Sequence, residues 1–227
     1  MKFDIVSQGA FATLNVLLAK GESIKAESGA MITMSDTIDV DSKMEKGLLS
    51  SLARKLLTGE SLFFQTLKAE RGDGSAMLAS AYPGEMAILD LDGSEEFILQ
   101  KDGFLAADDT VTISTKAQNL TKGLFSGEGF FIMRLGGKGK VVISTYGGIM
   151  KLTLAPGEVR IIDNSHMVAW SANSNYKIEK ASKGWVSSFT SGEGLVCRFT
   201  GPGDVYIQTR NSPGFGSWVR QFIPNKG

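Results

Sequence analysis

The sequence has little of what most catalytic, metal and nucleic-acid sites need. It contains one cysteine, Cys197, and one histidine, His166, in 227 residues. The chain therefore cannot close an internal disulfide, and it has too few soft ligands for the usual zinc or iron site. Lysine plus arginine equals aspartate plus glutamate, 24 each, so no net positive charge favours broad binding of phosphate backbones. We expect no cofactor, no metal ion and no broad nucleic-acid binding.

Long hydrophobic runs are absent as well. No apolar stretch approaches the roughly 20 residues that a membrane-spanning helix needs. Lys2, Asp4 and Ser7 interrupt the N-terminal segment, which does not resemble a signal peptide. A single cysteine within an apolar run is typical of a buried structural thiol in a reducing compartment. These features predict a soluble cytoplasmic protein without a transmembrane segment.

Glycine is abundant, with 27 residues, and it marks an internal repeat. A hydroxyl-Gly-Glu motif occurs three times, each copy followed by an apolar run and a Gly-x-Gly element. The motif residues are Gly59-Glu60, Gly127-Glu128 and Gly192-Glu193, and the Gly-x-Gly elements begin at Gly72, Gly137 and Gly201. The motif steps are 127−59=68 and 192−127=65 residues. Self-similarity at a nearly fixed period indicates repeated structural units.

Two further landmarks precede each motif in the same order. A Gly-Glu turn opens each unit, and a short apolar segment follows it. The turn glycines are Gly21, Gly84 and Gly157, and the segments begin at Gly29, Gly103 and His166. Units of this size bury too little apolar surface alone, so we expect three units to share one core. They span residues 1–80, 81–147 and 148–213, and an aromatic tail follows at 214–227.

Most segments between these landmarks read as short strands joined by glycine turns. Residues 204–209 alternate Val205 and Ile207 with polar neighbours, as a half-buried strand does. The glycines of the Gly-x-Gly elements and of Gly147-Gly148 predict hairpin turns. The fold class is therefore all-β, as tandem β-sandwich or double-stranded β-helix-like modules.

Two segments depart from this pattern and are candidate interfaces. Residues 47–57 place apolar side chains at 48, 49, 52, 53, 56 and 57, which predicts one short amphipathic helix. That helix either caps the sheets, contacts another subunit through Leu52 and Leu56, or touches a membrane surface. In the tail, Trp218 and Phe222 are four residues apart, so one helical turn can present both. The tail either packs on its own core or docks on a neighbouring subunit.

The remaining candidates for chemistry have structural explanations. His166 stands where the other units have glycine, which suits a turn residue, although a general base is the alternative. Glu60, Glu128 and Glu193 occupy equivalent settings, so we expect them to accept hydrogen bonds from turn amides. If the units surround a threefold axis, these three carboxylates could instead gather around a cation. Neither set predicts a catalytic centre.

The assembled motifs resemble the altered-inheritance-of-mitochondria 24 family. The residues that carry the resemblance are 58–64 (Thr-Gly-Glu-Ser-Leu-Phe-Phe), 125–131 (Phe-Ser-Gly-Glu-Gly-Phe-Phe), 192–196 (Gly-Glu-Gly-Leu-Val) and 199–211 (Phe-Thr-Gly-Pro-Gly-Asp-Val-Tyr-Ile-Gln-Thr-Arg-Asn). The resemblance implies three β-sandwich modules similar to the tryptophan RNA-binding attenuation protein subunit, arranged about a pseudo-threefold axis. It implies no enzyme activity and no catalytic residues. For mitochondrial relatives it implies a role in inner-membrane organisation.

Three functions remain open at this stage. The first is a non-catalytic scaffold or assembly protein that forms homo-oligomers, which the repeat and the missing active-site chemistry favour. The second is a module that binds RNA or a small metabolite between units, by analogy of fold alone. The third is a hydrolase or isomerase that uses His166 with a carboxylate.

Overall fold

The computed structural model describes residues 1–41, 64–117, 131–180 and 195–224. These residues form an all-β structure, which confirms the predicted all-β class, and their one short helix lies at the C-terminal end, whereas the predicted helix at 47–57 falls outside them. The first strands are β1 Lys2–Val6, β2 Thr13–Leu18, β3 Ser23–Glu27, β4 Met31–Met34, β5 Ile38–Asp41, β6 Phe64–Ala69 and β7 Gly74–Leu78. They are followed by β8 Met86–Asp92, β9 Phe97–Gln100, β10 Phe104–Asp108, β11 Val111–Ala117 and β12 Phe131–Ser144. The last elements are β13 Ile149–Leu154, β14 Val159–Asp163, β15 Met167–Ser171, β16 Asn175–Lys180, β17 Leu195–Thr200, β18 Gly203–Gln208 and helix α1 Ser212–Arg220.

The described strands form three sheets. One has the order β1-β2-β7-β4, and another has the order β14-β17-β16. The largest runs β13-β18-β15-β9-β12-β10-β3-β6-β5, with β8 and β11 also paired to β12. All pairings between these strands are antiparallel. Antiparallel sheets commonly bury one face, and alternate residues of β2 are buried accordingly.

Four strand pairings recur along the chain in the same order. In the first third, β2 and β4 pair with β7, while β3 and β5 pair with β6. In the second, β8 and β10 pair with one half of the long strand β12, while β9 and β11 pair with its other half. In the last, β13 and β15 pair with β18, while β14 and β16 pair with β17. This recurrence accords with the sequence repeat; the unit boundaries and the threefold arrangement stay predictions.

The core consists of three apolar clusters, one for each third of the chain, and each includes residues from a neighbouring third. Leu105 and Val142 pack in the first cluster, Val168 in the second and Ile98 in the third. Cys197 is fully buried in the third cluster, and burial raises the pKa of its thiol to about 12. The cysteine is therefore the inert structural thiol that the sequence predicted.

The glycine turns differ from expectation in two ways. Residues 72–74 and 201–203 connect strands that do not pair with each other, and residues 137–139 lie inside the continuous strand β12. The elements at 72–74 and 201–203 are therefore corners between sheets, the element at 137–139 is a bend within β12, and none of the three is a hairpin turn. Gly137 and Gly139 have φ of 84° and 152°, which allows β12 to bend there. Gly147-Gly148 likewise joins β12 to β13, which do not pair with each other.

The turn at Gly84 is also not equivalent to those at Gly21 and Gly157. Gly21 lies between β2 and β3, and Gly157 lies between β13 and β14. Gly84 instead precedes β8, and the corresponding turn of the second third contains Gly93. Parallel bridges join Gly84 to Phe11 and to Gly147, which precede β2 and β13. Close approach of the backbones requires glycine at this position, so the sequence match to Pro-Gly-Glu was misleading.

Glu27, the last residue of β3, carries a half-buried carboxyl close to the pairing of β3 with β10. Burial, and secondarily the charge of Asp102, raises the pKa of Glu27 from 4.5 to about 7. The folded chain therefore holds a proton between pH 4.5 and 7 that the unfolded chain releases, so stability falls as pH rises through this window. We expect Glu27→Gln to remove this loss and to be more stable than wild type at pH 8. Thermal unfolding at pH 5 and pH 8 tests this.

Glu95→Gln, a change at an exposed glutamate, is the matched control for the removal of one negative charge. It should leave the fall in stability between pH 5 and pH 8 as it is in wild type. Identical pH profiles for Glu27→Gln and wild type would contradict the assignment.

Candidate functional site

Helix α1 is short, and the rest of the protein fixes its first turn. The side chain of Asn211 accepts a hydrogen bond from the backbone N–H of Gly214 at 2.7 Å, and Pro213 lies in the first turn. Both are standard features of a helix start. A helix of 9 residues is marginal in water by itself. The contacts of Asn211 and of the helix side chains therefore decide where α1 lies.

His166 is the residue that holds this cap in place. Its Nδ1 lies 2.7 Å from the carbonyl oxygen of Gln208, and its Nε2 lies 2.7 Å from Nδ2 of Asn211. A carbonyl only accepts and an amide NH₂ only donates, so Nδ1 carries the proton and Nε2 accepts. Both ring nitrogens are engaged, and among the described residues neither contacts an acid or a hydroxyl, so His166 lacks the free nitrogen of a general base. Its visible role is to orient α1.

A continuous row of five aromatic rings runs from the body of the protein onto α1. We call it the aromatic row: Tyr82, Tyr146, Phe215, Trp218 and Phe222. Successive ring centroids are separated by 5.8, 5.9, 5.9 and 5.1 Å. Distances in this range are those of favourable aromatic pairs. The row therefore binds the helix to the body through Tyr146 and Phe215.

The outer end of the aromatic row faces solvent. Phe215, Trp218 and Phe222 are 50%, 56% and 68% exposed, and the neighbouring Ile223 is exposed as well. Contiguous exposed apolar side chains mark interaction sites, and tryptophan is a frequent anchor of protein interfaces. Trp218 and Phe222 were predicted as candidate interface residues. The structure brings them into contact and leaves both accessible.

Two members of the row were not found in the sequence. Tyr82 and Tyr146 are 64 residues apart (146−82=64), and no local pattern links either of them to the tail. The backbone bridge between Gly84 and Gly147 brings them together. The only local signal is that each tyrosine lies one or two residues before one of these glycines.

The other predicted site residues lie outside the part of the chain that the structure describes. These are the motif residues Gly59, Glu60, Gly127, Glu128, Gly192 and Glu193, the candidate interface residues Leu52 and Leu56, and the predicted helix at 47–57. Within the described ranges, no group of three His, Cys, Asp or Glu residues is placed to hold a metal ion. The geometry available for function is therefore that of the aromatic row.

Comparison with known proteins identifies the family. The model of the family described as mitochondrial biogenesis AIM24 matches residues 3–210. The chain belongs to the AIM24 family. An uncharacterized protein of Streptococcus pyogenes serotype M6 is 32% identical over 231 aligned positions, which cover 99% of this chain and 92% of the relative. An X-ray crystal structure of a Streptococcus pyogenes protein has a TM-score of 0.79 and 30% identity, covering 98% of this chain and 99% of that chain.

The family match confirms the resemblance seen in the motifs, and it also divides the aromatic row. Tyr82 and Tyr146 lie within the AIM24 match, whereas α1 begins after its last residue.

Across the ranges that the structure describes, no helix is long and apolar enough to cross a membrane.

Proposed function

We propose that this AIM24-family chain is a non-catalytic assembly protein that associates with further copies of itself through the aromatic row. The observation that carries the proposal is the exposure of Phe215 and Trp218 on a helix that is fixed to the body, and of Phe222 just after its end. An anchored helix loses little conformational freedom on binding, which lowers the cost of association.

The charge of the chain supports self-association. The formal net charge at pH 7 is zero, so copies do not repel each other strongly. The exposed outer end of the row is apolar; Arg210, whose backbone N–H donates to the carbonyl of Tyr146, lies at its inner end, and Arg220 lies in the last turn of α1. A surface of this kind suits an apolar protein partner better than a phosphate-rich one.

The test compares the mass of wild type with that of a variant of the row. We expect the double variant Trp218→Ser/Phe222→Ser to weaken association by about 30-fold or more, since loss of a buried aromatic anchor costs about 2 kcal/mol. Sedimentation velocity over a concentration series measures the change. Both side chains are exposed, so the far-ultraviolet circular dichroism of the β-structure should not change.

Val40→Ser is the matched control. Val40 is also exposed, but it lies on β5, at the opposite end of the largest sheet from β13. It should leave the association constant unchanged. A wild-type protein that stays monomeric at micromolar concentration would refute the proposal. So would stoichiometric nucleic acid that copurifies with the protein and is bound by the aromatic row.

A further inference from the structure

Two joints of the same kind hold the largest sheet together. At the first, β3 pairs with β10, and Ala26 lies opposite Ala106. At the second, β9 pairs with β15, and Leu99 lies opposite Ala169. The turns at Gly29, Gly103 and His166 occupy equivalent positions in the three thirds of the chain. In the first joint, β10 follows the turn at Gly103 and pairs with β3, which precedes the turn at Gly29. In the second, β15 follows the turn at His166 and pairs with β9, which precedes the turn at Gly103. Each joint therefore uses one strand of each kind.

The chain has one more strand of each kind, and the two do not pair with each other. Strand β4 follows the turn at Gly29, and β14 precedes the turn at His166. Among the described strands, β4 pairs only with β7, and β14 pairs only with β17. They lie at the edges of separate sheets. One chain thus presents both halves of a third joint.

Strand β4 has the same irregularity as its two counterparts but not their burial. In β4 a register shift occurs between Met31 and Thr33. The same shift occurs between Phe104 and Ala106 in β10 and between Met167 and Ala169 in β15. The residue inside this shift is buried in both joints, with Leu105 0% and Val168 2% exposed. Its counterpart Ile32 is 53% exposed. Ile32 is more exposed than Leu105 and Val168, as expected if β4 lacks a strand on its second side.

The composition of β4 also sets it apart from other edges. Exposed edge strands are normally protected from further pairing by charged residues or proline. Each of the other seven edge strands that the structure describes carries at least one Asp, Glu, Lys or Arg, whereas β4 (Met-Ile-Thr-Met) carries neither a charge nor a proline. An unprotected edge of this kind is suited to pairing.

We propose that β4 of one copy pairs in antiparallel fashion with β14 of a second copy, so that copies join head to tail. This inference rests on the proposed self-association and names a contact for it that is separate from the aromatic row. The registers of the two internal joints place Thr33 opposite Ile162, Met34 opposite Ile161 and Ser35 opposite Arg160. A head-to-tail contact between unlike surfaces builds a closed ring or an open filament.

The backbone polarity of the two edges fits this register. The N–H of Ser35 donates to the carbonyl of Ser75 in β7, so the alternation of a strand turns the N–H and C=O of Met34 toward the free edge. The carbonyl of Glu158 accepts from Gly201, so by the same alternation Ile161 turns its backbone groups outward. Met34 and Ile161 can therefore exchange both hydrogen bonds of an antiparallel pair. Their counterparts in the joints are Ala107 with Lys25 and Trp170 with Ile98.

Engineered cysteines test the contact and identify which chain supplies each strand. Ser35 and Arg160 would form the adjacent pair without backbone hydrogen bonds, whose Cα atoms lie about 4.5 Å apart, within the range of a disulfide. Single variants Ser35→Cys and Arg160→Cys are prepared separately and mixed under mild oxidation. The native Cys197 stays in place because it is buried and unreactive. We expect a covalent dimer in the mixture and not in either variant alone.

A register control and two opposite outcomes make this experiment decisive. Ser35→Cys mixed with Ile161→Cys should form much less dimer, since these side chains would lie on opposite faces of the sheet. The double variant Ser35→Cys/Arg160→Cys should give a ladder of covalent oligomers. A disulfide-linked monomer from the double variant would overturn the proposal, because the chain would then close the third joint on itself. Absence of any Ser35–Arg160 disulfide would overturn it as well.

A backbone variant provides an independent measurement. Ile161→Pro removes the outward N–H of β14 but leaves the N–H groups that face β17, and proline is tolerated on edge strands. We expect it to abolish the head-to-tail species in sedimentation velocity. Ile161→Thr keeps the N–H and is the matched control, which should assemble as wild type does. Equal assembly of Ile161→Pro and wild type would contradict the proposed pairing.

The same experiments separate this inference from the proposed function. A monomeric wild type, together with no cross-link between Ser35→Cys and Arg160→Cys, refutes both. An oligomer that is lost in Trp218→Ser/Phe222→Ser, without a cross-link between Ser35→Cys and Arg160→Cys, refutes only the head-to-tail contact. A cross-link that persists in the Trp218→Ser/Phe222→Ser background supports the head-to-tail contact and shows that it does not require the aromatic row.

Discussion

Replacing Gly84 with alanine should destabilise the protein by about 3 kcal/mol or more, at the upper end of what overpacking costs. A Cβ atom at this position would lie 1.9 Å from the carbonyl oxygen of Thr145 and 2.8 Å from that of Gly147. Both obstacles are backbone, and a side-chain rotation cannot remove them. Urea-induced unfolding, or the yield of folded protein if the variant does not fold, measures the effect.

The surroundings of Gly84 explain why the backbone cannot move away. The hydroxyl oxygen of the buried Thr145 lies 3.0 and 2.8 Å from the carbonyl oxygens of Glu85 and Gly147, which share its one proton. The N–H of Glu85 also donates to Gly147. Displacing the chain at Gly84 would break these bonds and leave buried polar groups without partners. The three segments that precede β2, β8 and β13 meet here, so the damage should affect the whole fold.

Gly216→Ala is the matched control for this substitution. Gly216 lies in α1, and nothing is within 4 Å of the position that its Cβ would take. Since glycine is unfavourable within a helix, alanine should stabilise the helix by roughly 0.5–1 kcal/mol. A Gly84→Ala protein that unfolds at the wild-type urea concentration would show that the segments before β8 and β13 do not approach each other as described.

Trp170→Ala should also cost about 3–5 kcal/mol, the usual loss for a large aromatic residue in a core. Trp170 is fully buried, and its ring makes edge-to-face contacts with Tyr176 and Phe199 at centroid distances of 5.3 and 6.0 Å. It also lies opposite Ile98, in the joint between β15 and β9. Truncation therefore leaves a cavity where the second and the last third of the chain meet.

Trp170→Phe should retain a substantial part of this stability, because a ring remains to contact Tyr176 and Phe199. The free energy of unfolding in urea distinguishes the two variants. If Trp170→Ala lost less than about 1 kcal/mol, the typical cost of an average substitution, the ring would not be an essential part of this core.

Residues with a period-two pattern or a glycine corner could be recognised from the sequence because local geometry determines both. Val205 is buried in β18 as its alternation predicted, and Cys197 is buried in an apolar strand. Trp218 and Phe222, four residues apart, are in ring contact at the end of α1 for the same local reason. What each corner connects is not local. The glycines at 72–74 and 201–203 predict hairpins but form corners, because the sequence does not specify which strands pair.

The candidate surface was only half visible in the sequence. The spacing of the aromatic residues in the tail predicts that Trp218 and Phe222 lie together. Tyr82 and Tyr146 join the aromatic row only because the bridge between Gly84 and Gly147 brings them close. His166 was interpreted as a turn residue or a general base. Its function as an anchor for Asn211 required two partners that lie 42 and 45 residues away.

The sequence by itself determined that this chain is all-β, that its cysteine is structural and that it belongs to the AIM24 family. Each of these follows from residue types and spacings, which act over a few positions. The tertiary structure alone decided that aromatic rings from distant segments form one surface and that, among the described strands, β4 and β14 are edges without the partners that β10 and β3 have. Strand pairing is a long-range interaction whose cost and gain depend on the complete fold, so no short segment can specify it.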